Sequence, residues 1–236
     1  MFDYLSAPVL PSDAEHTVVF GRQDPLVAHA LGDLIIPGLV ETAVITGGIG
    51  KDSGNLVQQG FDSEAGYLLD QVAKDSLVRG YKIPTITLDE KATNGGENSR
   101  NSLNILETAN RSTTALTAVA HATSMRRLAE TLKHEASKRA GVEPVIYRKP
   151  TNHAFDPTNP IDREEAAAEL LRIADWPAKG FLGIQHDLPE DLVDFARKRH
   201  ISAPKPVASW KSTALTLLPN SMRKPAIYLA AKFGQK

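Results

Sequence analysis

The chain has 236 residues, of which 42% are hydrophobic and 23% charged, values that are typical of a globular protein. Its formal net charge of −1 creates no overall field for attracting nucleic acid, and the absence of cysteine excludes disulfides, thiolate catalysis and cysteine-based zinc sites. Met1 to His16 contains no Lys or Arg, and no run approaches the roughly 20 apolar residues of a membrane span. We therefore expect no signal peptide, no membrane span and a cytoplasmic location.

Up to Pro150, short apolar runs alternate with amphipathic segments of helical length, which is typical of a parallel sheet with crossover helices. We predict an α/β fold, a Rossmann-like open parallel sheet of about five strands with flanking helices, over residues 1–150. The predicted strands are 17–20, 42–46, 85–88, 116–120 and 145–147, and the predicted helices between them are 26–36, 63–81, 98–110 and 125–138.

The composition changes after Pro150. A loop rich in proline and asparagine leads into segments with a helical pattern, so we predict a helical C-terminal appendage over 151–236. The segments with this pattern are 163–174, 190–199 and 223–232.

The C-terminal stretch from Phe195 to Lys236 is strongly basic, with nine Lys or Arg and no Asp or Glu. It predicts either a solvated face, a contact in a homo-oligomer, or a surface for an acidic partner or a membrane. Aromatic residues are sparse there, so stacking on nucleic-acid bases is not expected.

Polar or glycine-rich clusters follow each of the first four predicted strands, at 21–24, 47–53, 89–98 and 121–124. In an open parallel sheet, ligands bind just beyond the carboxyl ends of the strands. Four such clusters on one edge predict a cleft for a small molecule.

The first of the two main loops is the glycine-rich segment Thr46 to Gly50. Its glycines allow close approach to a ligand, and its N–H groups could bind an anion. The spacing matches neither the dinucleotide fingerprint nor a Walker loop, because Gly50-Lys51 is followed by Asp52. A tight turn without a ligand is the alternative interpretation.

The second loop, Thr93 to Asn98, combines two amides, a carboxylate and two glycines at a junction between a strand and a helix. Asn94 or Asn98 could cap the helix, and Glu97 in its first turn suits the helix dipole. The carboxylate could instead accept hydrogen bonds from ribose hydroxyls or an amine.

Other side chains at the same edge are candidates too. Glu64 opens the helix after the glycine loop, and His121 at a strand end is either a general base or a hydrogen-bonded histidine. Cations are unfavourable where Arg126 and Arg127 open a helix, so at least one of them should reach a ligand or a carboxylate such as Glu97. The seven histidines show no metal-ligand spacing, so we predict no metal site.

These observations give two sets of site residues. The catalytic candidates are Glu64, Glu97 and His121. The predicted binding residues are Gly21, Arg22, Gly47, Gly48, Ile49, Gly50, Glu64, Thr93, Asn94, Glu97, Asn98, His121, Met125 and Arg127.

At these same loops the sequence resembles the YdcF branch of the SanA/ElyC/YdcF family, a bacterial group long described as a domain of unknown function. Order and spacing hold over about residues 17–140. The matching pieces are Thr46-Gly47-Gly48-Ile49-Gly50, Ser63-Glu64-Ala65, Asp89-Glu90, Thr93-Asn94, Gly96-Glu97-Asn98 and Met125-Arg126-Arg127.

The resemblance implies a Rossmann-like sheet and binding of S-adenosylmethionine, without an established reaction. The chain departs from the wider family at Ala92, Gly95 and Ser124, where Ser, Thr and His are usual. Loss of that histidine shifts the expectation from catalysis toward binding. The alternatives are a metal-assisted hydrolase or transferase acting on a phosphorylated or nucleotide substrate, and a non-catalytic protein that binds a partner through the basic tail.

Overall fold

The computed structural model describes residues 1–13, 15–50, 53–156, 158–183 and 187–202, and Met1–Ser202 forms one compact unit. The predicted helix 223–232 and the basic stretch beyond Ser202 lie outside the described residues. Over the described ranges, no helix combines the length and the apolar character needed to cross a membrane.

The core of the fold is a sheet of five parallel strands, which confirms the predicted Rossmann-like architecture. The strand order is β3-β2-β1-β4-β5. Strands β2 and β3 lie on one side of β1, and β4 and β5 lie on the other, so the order of the strands reverses between β1 and β4. Each observed strand contains the predicted one and extends it by one to three residues. The strands are β1 Glu15–Phe20, β2 Val40–Thr46, β3 Thr85–Asp89, β4 Ala115–Ala120 and β5 Val145–Pro150.

Helices cover both faces of this sheet. A short first helix was not predicted, because five residues are too few to show a helical period. The helices are α1 Phe2–Ser6, α2 Pro25–Ile35, α3 Glu64–Arg79, α4 Gly95–Thr108, α5 Met125–Ala140, α6 Pro160–Asp175 and α7 Glu190–Ser202, with a 3-10 turn at Pro177–Lys179.

Side-chain caps explain where several of these helices begin. Asp24, Ser63, Asn94 and Asn159 each accept a hydrogen bond from a backbone N–H in the first turn of α2, α3, α4 and α6, respectively. Helix α4 therefore begins three residues before the predicted Asn98, because Asn94 is the cap.

Three apolar clusters hold the elements together. Val19, Leu31 and Leu68 belong to the core on the α2 and α3 face, and Phe20 and Leu132 to the core on the α4 and α5 face. A third core packs the N-terminal helix α1 against α6 and α7, the last two helices of Met1–Ser202. It includes Leu5, Leu170, Ile173 and Ala196, all essentially buried.

Candidate functional site

The described residues of all four polar clusters predicted at strand ends lie at one edge of the sheet, since every strand runs in the same direction. We call this edge the rim. In doubly wound folds, ligands bind along such an edge, most often where the strand order reverses, which here is between β1 and β4.

The glycine loop after β2 is joined to the segment after β3 by backbone hydrogen bonds. Gly47 N–H donates to the Asp89 carbonyl at 2.8 Å, and Gly48 N–H donates to the Ala92 carbonyl at 2.6 Å. Gly50 N–H donates to Ser53 Oγ at 2.7 Å. These three N–H groups are satisfied within the protein, so they are not arranged as an anion cradle.

Two glycines make room for the Glu64 carboxylate at the ends of β1 and β2. A Cβ at Gly21 would lie 2.7 Å from Glu64 Oε2, and one at Gly47, whose φ is +143°, would lie 3.0 Å from the same oxygen. The other carboxylate oxygen, Oε1, accepts a hydrogen bond from Ser53 Oγ at 2.8 Å. Glu64 is thus placed over two adjacent strands, with its side chain half-buried.

The loop before α4 caps that helix and also presents a carboxylate. Asn94 Oδ1 accepts from Glu97 N–H at 3.0 Å, while Glu97 Oε2 accepts from the N–H and the hydroxyl of Thr93 at 2.8 and 3.0 Å. These hydrogen bonds, the Thr93 N–H first, lower the pKa of Glu97. Glu97 therefore remains a carboxylate at neutral pH.

Asn98 lies further inside, next to the last residue of β2. It is 8% exposed, and its Oδ1 is 3.3 Å from Thr46 Oγ1. The Thr46 hydroxyl also lies 2.6 Å from Asp89 Oδ2, which is the stronger acceptor because it is charged. Asn98 thus packs among buried polar groups where β2 and β3 end.

A second set of polar side chains lies where the strand order reverses. Arg22 donates to Glu165 Oε1 at 2.5 Å, and the Thr123 hydroxyl donates to the same oxygen at 2.9 Å. His121 lies beside them, with Nδ1 2.7 Å from Thr123 Oγ1 and Nε2 3.5 Å from Asp24 Oδ2. We call the following residues the switch-point cluster: Arg22, Asp24, His121, Thr123, His153, Asp162 and Glu165.

Burial and the neighbouring Arg22 charge lower the pKa of His121 to about 4, so the imidazole is neutral at neutral pH. Burial alone would raise the pKa of Glu165, but the Arg22 hydrogen bond and charge outweigh it and lower that pKa. Arg22 and Glu165 therefore form a charged pair beside a neutral histidine.

The remaining predicted binding residues occupy different environments. Met125 is fully buried in the α4 and α5 core, and Ile49 is 39% exposed. Arg127 makes an ion pair with buried Glu169, and its guanidinium lies 5.3 Å from the centre of the Trp176 ring.

The neighbouring Arg126 also reaches a carboxylate. It donates to Asp187 at 2.5 Å and stacks over the Tyr4 ring. Both arginines thus contact carboxylates, as expected of at least one of them, and the partners are Asp187 and Glu169; Glu97, named as an example, is not among them.

Sequence reasoning did not single out several residues that build the rim. Glu165 is separated from Arg22 by 143 positions, and His153 lies in the loop after β5. The one available signal was the spacing of Glu165 and Glu169, which places both on one face of a helix.

No group of three or more His, Asp or Glu placed to hold a metal ion occurs among the described residues. Two open surface grooves of about 370 and 390 Å³ lie elsewhere, one between α2 and α3 at His29 and Val78, the other beside β5 at Val145.

Comparison of the chain with protein-family models and with curated proteins finds no match. The similarity to the YdcF branch stays a prediction, and function has to be inferred from the geometry and charge of the rim.

Proposed function

We propose that the protein binds a small nucleoside-type ligand, S-adenosylmethionine or a related nucleoside, at the carboxyl ends of β1, β2 and β3. The observation that carries this proposal is the position of the Glu64 carboxylate against Gly21 and Gly47. A carboxylate at the end of neighbouring strands is where Rossmann-like proteins recognise ribose hydroxyls. The YdcF resemblance, with its bacterial setting, supports the same ligand.

The charges of the rim favour a cationic ligand over a phosphorylated one. Glu97 provides a carboxylate, whereas Arg22 and Arg127 are paired with Glu165 and Glu169. The N–H groups of Gly47 and Gly48 are bonded to carbonyls. S-adenosylmethionine carries an ammonium and a sulfonium, which suit carboxylates, whereas a phosphate would need the donors that these contacts occupy. The metal-assisted hydrolase is therefore the weaker alternative.

No reaction is assigned to this binding. We place the protein in the cytoplasm, because a chain without cysteine suits a reducing compartment.

Calorimetric titration with S-adenosylmethionine tests the proposal. In Glu64→Gln the side-chain shape is kept and the charge is removed, so we expect affinity to fall by about tenfold or more. The matched control is Glu41→Gln, at the opposite end of β2, where Glu41 pairs with Arg111 at the surface. Its affinity should equal that of the wild type. Absence of heat with folded wild-type protein, or equal loss in both variants, contradicts the proposal.

A further inference from the structure

We draw no further inference here: the strongest candidate, the surface groove between α2 and α3 with the exposed Val78 at its edge, carries none, because nothing in the described part of the chain shows what covers it.

Discussion

On the β2 and β3 side of the rim, backbone hydrogen bonds join loops that are close in sequence. On the β1 and β4 side, charged side chains join segments that are far apart, such as Arg22 and Glu165. The first side is a rigid frame into which Glu64 fits between glycines. The second exists only when α6 is docked. One edge of the sheet therefore combines a part held by local backbone hydrogen bonds with a part that depends on a distant helix.

The largest effect on the β1 and β4 side of the rim should come from removing the carboxylate that joins α6 to α5. Glu169 is 4% exposed and pairs with Arg127 and Arg172. In Glu169→Ala these cations lose their partner, and we expect unfolding free energy to fall by about 3 kcal/mol or more. Urea denaturation measures it. Glu107→Ala, which removes an exposed pair with Arg139, should cost less than about 1 kcal/mol. Similar losses for the two variants would show that α6 is not held by this pair.

On the β2 and β3 side of the rim, the most disruptive substitution should be at Gly47. Alanine there combines an unfavourable φ of +143° with a Cβ 3.0 Å from Glu64 Oε2. We expect Gly47→Ala to cost about 2 kcal/mol or more and to weaken ligand binding by displacing Glu64. Gly60→Ala isolates the conformational part, because its φ is +86° but nothing lies within 4 Å of the new Cβ. It should cost about 1 kcal/mol and leave binding intact. Thermal unfolding and titration check both, and equal effects would mean that Glu64 is not confined.

Low pH should destabilise the β1 and β4 side of the rim in particular, because the switch-point cluster contains the buried His121. Its pKa is lowered from 6.5 to about 4 in the folded protein, so the unfolded chain takes up the proton more readily between these values. Stability from this residue is complete above about pH 6.5 and is lost as pH falls toward 4, by roughly 1–3 kcal/mol.

Unfolding free energies measured from pH 4 to 7 should therefore rise with pH in the wild type. The slope should be smaller in His121→Gln, which cannot titrate. An unchanged slope in the variant would assign the pH dependence to other groups.

The smallest effect concerns Asn94, whose predicted roles were cap and ligand contact. Loss of the cap in Asn94→Ala should cost about 1 kcal/mol, because Glu97 N–H loses its acceptor. Asn94→Asp keeps a capping oxygen and should be as stable as the wild type. If the aspartate variant nevertheless binds the ligand more weakly, the amide itself contacts the ligand, and if not, Asn94 only caps α4.

The sheet and the rim could be predicted from the sequence because their signals are local. Apolar runs that end in glycine and polar residues identify a strand and its carboxyl end together, as at Val40–Thr46 followed by Gly47. The same is true of Asn94 and Glu97, whose spacing is that of a helix cap.

The partners of the rim could not be predicted, for physical reasons. Which carboxylate reaches Arg22 depends on how the chain folds back after Pro150, and α6 brings Glu165 there from 143 positions away. Met125 is the first residue of α5, and its side chain turns into the core, which sequence spacing alone does not reveal. The pairing of Arg127 with Glu169 could not be predicted either, because it depends on how α6 packs against α5.

We propose that this rim binds a cationic adenosyl compound rather than a phosphorylated nucleotide. It can be tested by titrating the 236-residue chain with S-adenosylmethionine and, in parallel, with ATP in the presence of Mg²⁺. We expect S-adenosylmethionine to bind more tightly by at least about tenfold, because Glu97 provides a carboxylate at the rim while Arg22 and Arg127 are paired with Glu165 and Glu169. Tighter binding of ATP would contradict it.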